Sequence, residues 1–360
     1  MRLIQALPDG PLDIVGDIHG EYDALCALLE RLGYDDHGRH PDGRRLVFVG
    51  DFCDRGPDSP AVMMLARRLM HAGGAMAVMG NHELNLLRKD PKDGSGWFFQ
   101  ERALRDHEKY APFKSPTEAQ RQDIMSLVAS LPLVLERADL RVVHAAWHEP
   151  AIAALRSSTP LSGTICQAFD RWEHAIKQQA RDSGQAALIV AERQSWNGGL
   201  DNPARKPPTM HAVARYDACK QMGNPVRVLT SGVERVTPDP FFNGGKWRFT
   251  ERVRWWDDYS SPIPVVVGHY WRQLGVAAAD DIRKNGPDLF DGVPPLHWHG
   301  KHDNVFCVDF SVGGRWLERK SGQPLGTNFK LAALRWPERT VVFDDGSQQM
   351  TTGFDGSPEG

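Results

Sequence analysis

Cysteine is scarce. The 360 residues hold five, Cys26, Cys53, Cys166, Cys219 and Cys307, odd in number, widely spaced and never in a CxxC pair. This excludes a disulfide framework and a four-thiolate zinc site, and leaves buried free thiols of a reducing compartment as the expectation. No window stays apolar for the roughly 18 residues a membrane span requires. The first residues, Met1 to Pro8, run into Asp9-Gly10 before a signal-peptide core could form. A cytoplasmic protein with no membrane partner is expected. An excess of one charge is missing too: the formal net charge is -3. There is no basic field to gather nucleic acid, so none is expected as a partner, and no acidic block of a solvated tail. No internal repeat is present. What remains is ordinary for a globular chain, 41% apolar and 25% charged residues, at a length that allows one large domain or two smaller ones.

Three early segments share one pattern: a short apolar run, a glycine, then polar residues. Leu12 to Val15 ends in Gly16-Asp17-Ile18-His19-Gly20, Arg45 to Val49 in Gly50-Asp51, and Ala75 to Met79 in Gly80-Asn81-His82-Glu83. Helical spacing separates them, with Leu25, Leu28, Leu29 and Leu32 on one face and Val62, Leu65, Ala66 and Leu69 on the next. Buried strands alternating with helices predict an α/β chain with parallel strands, whose ligands bind beyond the carboxyl ends of the strands. A helix over 117–131, a strand at Leu140 to Val143 closed by His144, a helix near 169–181, a strand at Pro264 to Val267 closed by Gly268-His269, and late strands at 304–309 and 339–343 complete the reading. The tail after Asp345 is polar and expected to fray.

The strand ends offer carboxylate, imidazole and carboxamide together. That mixture suits borderline divalent ions such as Mn²⁺, Fe²⁺ or Zn²⁺ better than an all-oxygen Ca²⁺ site. Asp17 and His19 can turn toward one ion, and a carboxylate such as Asp51 can bridge two. Ions about 3.5–4 Å apart clamp the attacking and leaving oxygens of an in-line displacement. Asn81 and His82 are adjacent, so one can bind metal while the other faces substrate. Asp54 is within reach to orient an imidazole, and Arg55 offers a planar fork for phosphate oxygens.

Asp17-Ile18-His19, Gly50-Asp51-Phe52-Cys53-Asp54-Arg55-Gly56 and Gly80-Asn81-His82-Glu83 resemble the signature of the calcineurin-like metallophosphoesterases, in the branch of serine/threonine phosphoprotein phosphatases and symmetrical diadenosine tetraphosphate hydrolases. Val143-His144-Ala145 and Gly268-His269 are similar to that branch's later histidine motifs. The resemblance implies a sandwich of two β-sheets flanked by helices. It implies one metal on Asp17, His19 and Asp51 and another on Asp51, Asn81, His144 and His269. It makes His82 the general acid, Asp54 its orienter, and Arg55, with Asn81, the binder of the phosphoryl group. The implied enzyme is a hydrolase using a metal-bridged hydroxide, with manganese foremost and iron, zinc or nickel as alternatives. Its expected substrates are phosphoserine and phosphothreonine in proteins. The alternatives are a symmetrical dinucleoside polyphosphate hydrolase or, in another class, a non-catalytic metal-binding scaffold. A single domain over 1–345, with a long insertion at about 150–262 and a flexible 346–360, is expected; the oligomeric state is left open.

The chain departs from the pattern at Ala145-Ala146-Trp147 after His144 and at Tyr270 after His269. A second phosphate-binding arginine is expected among Arg235, Arg252 and Arg254. Trp255-Trp256 suggests a partly buried strand or a wall of the substrate cleft. His297, His299 and His302 read as incidental histidines of an exposed loop. His144 and His148 have the spacing of a helical zinc pair, but position 145 is Ala rather than Glu.

Overall fold

A computed structural model of the chain describes residues 2–158, 163–275 and 288–355. In chain order the elements are β1 (Ile4–Ala6), β2 (Leu12–Val15), α1 (Tyr22–Leu32), β3 (Arg45–Phe48), α2 (Ser59–His71), β4 (Ala75–Ala77), α3 (Asn81–Leu87), α4 (Gln100–Tyr110), α5 (Glu118–Ser130), β5 (Val134–Arg137) and β6 (Leu140–Val143). There follow α6 (Glu149–Ser157), α7 (Ile165–Asp182), α8 (Gln185–Ser195), α9 (His211–Met222), α10 (Pro225–Ser231), β7 (Glu234–Asn243), β8 (Lys246–Arg252), β9 (Val265–Val267), β10 (Val305–Cys307), α11 (Arg315–Ser321), β11 (Ala332–Trp336), β12 (Thr340–Phe343) and β13 (Gln348–Met350).

Two mixed sheets form, ordered β13-β12-β11-β2-β3-β4 and β1-β5-β6-β9-β10. Strands β9 and β10 read as unbroken apolar runs because both faces are covered. On one side, Leu12, Ile14, Val47 and Val49 meet Leu140, Val142, Val266 and Phe306 across the gap between the sheets. On the other, Val15, Leu46 and Phe48 pack with Leu25 and Leu28 of α1 and Val62 of α2. The helix α1 stops at Gly33, whose φ of 93° continues the chain in the left-handed conformation glycine tolerates. The result is the expected α/β sandwich of two sheets flanked by helices.

The topology positions the site. Strands β2, β3 and β4 run parallel in one sheet, and β6, β9 and β10 run parallel in the other. Six carboxyl ends therefore open at one edge of the sandwich. The stretch from about 150 to 262 holds α7 to α10 and the antiparallel hairpin of β7 and β8. Part of it closes on a small core of Ile189, Met210, Val213 and Phe249.

Part of the expected fraying tail is ordered: β13 pairs with β12 from Met350 to Gln348, and the Trp298 amide donates to Thr352 O at 2.9 Å. The strand pairing outweighs the polar composition there, while residues 356–360 lie outside the described residues. Among the described residues no helix is long and apolar enough to cross a membrane.

Candidate metal centre and active site

Each motif glycine lets a polar loop pass close to its neighbour. A Cβ on Gly80 would lie 2.2 Å from Asp51 Oδ1, and one on Gly268 would lie 2.1 Å from Asp17 Oδ1. The Ile18 and His19 amides donate to Asp51 O at 3.0 and 2.9 Å, joining the loops after β2 and β3. Glu83 accepts from the Gly80 amide and also from the amides of Asp51 and Phe52 at 2.8 and 2.9 Å. It thereby fixes the turn that carries Asp51. Backbone strain concentrates here: His19, Asp51, Asp54, Arg55, His269 and Trp271 have φ between 48° and 75°. Non-glycine residues are held so only where surrounding contacts impose it.

The structure brings all six expected ligands together. Asp51 Oδ2 lies 3.3 Å from His144 Nε2 and 4.0 Å from His19 Nε2. Asp17 Oδ2 lies 3.9 Å from His19 Nε2, and Asn81 Oδ1 lies 3.2 Å from His144 Nε2. Donor atoms of Asp51, His144 and His269 fall within 4.8 Å of one another, as do those of His19, Asp51 and His82.

The donors fit divalent cations. His19 Nδ1 sits 3.1 Å from Cys53 O and His144 Nδ1 2.7 Å from Val49 O. A carbonyl only accepts, so each Nδ1 carries the proton and each Nε2 presents its lone pair to the cluster. His269 Nε2 is buried with no hydrogen-bond partner. Negative charge accumulates around them. Burial, with Asp309 and Asp51 beside it, pushes the Asp17 carboxyl well above the usual range. Burial pushes up Glu83 and Asp309 as well, with Asp51 adding to each. A cation would relieve all three.

His82 and Asp54 form a second unit. His82 Nδ1 donates to Asp54 Oδ2 at 2.5 Å, and Asp54 Oδ1 accepts from Trp97 Nε1 at 2.6 Å. Burial works to lower the His82 pKa, but Asp51 and then Asp54 outweigh it and hold it above the ordinary value. Arg55 donates to His19 Nε2 at 2.8 Å and to His82 Nε2 at 3.3 Å, so its guanidinium reaches both clusters.

The three arginines considered for a second phosphate contact separate clearly. Arg235 is exposed and paired with Glu251 at 2.8 Å, and Arg254 donates to the Asp288 and Asp291 carbonyls. Arg252, exposed at the end of β8, reaches the site electrostatically: burial holds His269 well below its usual pKa, and Arg252 is the next cause. Trp255 and Trp256, expected in a partly buried strand or a cleft wall, instead lie in a short 3-10 turn and are core residues, at 5% and 1% exposure. His299 is corrected from exposed loop to buried, its ring 4.7 Å from that of Trp256. The same sequence pattern that exposed Asp17 and Asp51, an acid closing an apolar strand, marked Asp309. It is buried at the same edge, accepting from the Trp271 and Ser311 amides at 2.8 Å each. Trp97 and Trp271 carried no such signal.

Substituting Gly268 by alanine is expected to displace the Asp17 carboxylate, whose Oδ1 ends a movable side chain, and to press on buried Val49, whose Cγ2 would lie 2.6 Å from the new Cβ, so folding is checked beside binding. Metal binding should weaken roughly 10- to 100-fold, as when a ligand's support is removed. Calorimetric titration with Mn²⁺ checks this, and unchanged affinity would remove Asp17 from the ligand set.

Residues 10–164 match the family model of the calcineurin-like phosphoesterases. The chain is 48% identical over 79 residues to the asymmetrical bis(5'-nucleosyl)-tetraphosphatase PrpE of Halalkalibacterium halodurans, covering 21% of this chain and 32% of that protein. It is 32% identical over 162 residues to the symmetrical bis(5'-nucleosyl)-tetraphosphatase of Aromatoleum aromaticum, covering 43% of this chain and 53% of that one. The chain thus spans about a third to a half of the length of these relatives. A solved structure of a candidate diadenosine tetraphosphatase aligns over 98% of both chains, with 17% identity and a TM-score of 0.41.

Proposed function

We propose, from the match of residues 10–164 to the calcineurin-like phosphoesterase family model, that the chain is a metal-dependent hydrolase of dinucleoside polyphosphates. The observation that carries the chemistry is the double use of Asp51, whose carboxylate completes two groups of donors at one edge of the sandwich. Asp17, His19 and Asp51 would hold one divalent ion, and Asp51, Asn81, His144 and His269 the other. Such a pair supplies Lewis acidity toward the phosphoryl oxygens and a water ionised near neutral pH. Manganese heads the metals this donor set admits, with iron, zinc and nickel also compatible.

The side chains have separate tasks. Arg55 exchanges its bonds to the two imidazoles for phosphoryl oxygens, and its fixed fork orients the group for in-line attack. His82 delivers a proton from Nε2 to the leaving oxygen, while Asp54, braced by Trp97, fixes its ring.

Phosphoserine and phosphothreonine were the substrates expected from the motifs. The relatives act, by name, on bis(5'-nucleosyl) tetraphosphates, and this favours the dinucleotide alternative. The longer alignment is to a symmetrical enzyme, so the proposed products of diadenosine tetraphosphate are two molecules of ADP. Chromatography of products from manganese-reconstituted protein, run beside a phosphothreonine peptide, tests this. AMP with ATP would correct the position of the cut, and a kcat/KM higher on the peptide would overturn the substrate.

A further inference from the structure

His269 is followed by two aromatic residues that part company. Tyr270 turns inward, 7% exposed, with its ring 5.4 Å from Trp256. Trp271 turns toward the site and stays half-buried. Its φ is 50°, a conformation a bulky residue adopts only under constraint. The constraint is visible: Asp309 Oδ2 accepts from the Trp271 amide at 2.8 Å, and Asp309 O accepts from the Arg272 amide at 3.0 Å. Asp309 is itself fixed by the Ser311 amide on its other oxygen.

This strained turn puts the indole over Arg55. The guanidinium carbon lies 4.8 Å from the ring centroid, and the His19 ring lies 6.2 Å away. Trp255 and Trp256, which the sequence offered as a wall of the substrate cleft, are buried and offer no free face, and Trp97 is committed to Asp54. Trp271 therefore joins an aromatic plane, partly open to solvent, to the cation assigned to phosphate.

We propose that Trp271 is the specificity-determining platform on which a nucleobase of the substrate stacks, while Arg55 beneath holds its phosphate chain. Asp309 is the positioning residue that presents it. A base carries a π-face whatever its identity, so the platform selects nucleotides over bare phosphates without selecting one base. A guanidinium against one side of the ring adds cation–π attraction and orders it. This rests on the dinucleotide reading and deepens it.

The test compares Trp271→Leu, Trp271→Met and Trp271→Phe on the manganese-loaded protein, with folding checked by circular dichroism. One measurement is kcat/KM on diadenosine tetraphosphate divided by that on inorganic tripolyphosphate. The other is the calorimetric Kd of AMP relative to inorganic phosphate. Loss of one stacked base should lower the nucleotide preference roughly 5- to 150-fold in the leucine and methionine variants, with phenylalanine restoring most of it. If nucleotide and bare phosphate weaken equally, Trp271 merely packs Arg55 and the proposal is overturned. If all preferences stay at the wild-type value, it is overturned as well. Should the wild-type protein leave diadenosine tetraphosphate uncut, the substrate reading fails by itself, and the AMP-to-phosphate ratio still decides Trp271 by the same criterion.

Discussion

Replacing His82 by alanine is expected to lower kcat on diadenosine tetraphosphate by about 10²–10⁴, the usual contribution of a positioned general acid. Bound metal should remain at the wild-type level. The geometry supplies the reason. Nδ1 is committed to Asp54, which Trp97 pins from the other side, so only Nε2 is available to a leaving oxygen. Arg55 now donates to that nitrogen. Once the guanidinium moves onto a phosphoryl group, Nε2 is free to carry a proton, and Asp51 and Asp54 favour the charged ring. The loss should depend on the leaving group. A p-nitrophenolate departs without protonation, so the same variant should lose far less on p-nitrophenyl phosphate. His82 also lies among His19 and Asp51 at ligand-like separations, which makes metal content decisive. An alanine variant that has lost an ion would reassign His82 as a ligand, and near-wild-type turnover on both substrates would end the acid role.

The parts legible in the sequence were those whose cause is local. A parallel strand covered on both faces must be apolar throughout, and a loop passing close to its neighbour needs glycine at its start. Hence Gly16-Asp17, Gly50-Asp51, Gly80-Asn81 and Gly268-His269 stood out, and with them the parallel strands that carry them, whereas the two-sheet frame was implied by the family resemblance alone. Asp13 shows the limit of the apolar-run reading. It is fully buried inside β2, held by Arg44 at 3.0 Å and by the Tyr34 hydroxyl at 2.8 Å, partners supplied by distant turns. Trp97 and Trp271 were invisible for the same reason, since their roles come from contacts made across dozens to hundreds of residues. The stretch from 150 to 262 hid its structure differently. In α9 the buried residues Ala212, Val213 and Ala214 are consecutive and small, so no apolar stripe marks the helix. In β7, Pro238 and Pro240 argue against a strand, and the register shift between Val236 and Phe241 is where the hairpin accommodates them.

Asp51→Asn should remove both ions together, and this separates a shared ligand from two independent sites. Asp51 is the one carboxylate common to the two donor groups. Burial alone would raise its pKa, but His144, His82 and His19 hold it well below the usual range, so it enters the cluster as an anion. The substituted amide can still accept from the His82 backbone through Oδ1, a bond of 3.0 Å, which preserves the local fold. What it cannot supply is negative charge to two cations at once. Activity should fall by about 10³ or more, the loss of several kcal/mol of transition-state stabilisation. A ligand that binds only the folded state stabilises it by about 2.7 kcal/mol at a hundred times its Kd. The wild-type Tm should therefore rise on adding Mn²⁺ and fall back with a chelator, and the asparagine variant should show neither change. His144→Ala, by contrast, removes a ligand of one group only and should leave one ion and part of the thermal shift. Elemental analysis beside calorimetry reads both variants. If Asp51→Asn keeps one tightly bound ion while His144→Ala loses two, the bridge is His144's loop and not the Asp51 carboxylate, and the two-group arrangement built on Asp51 is wrong.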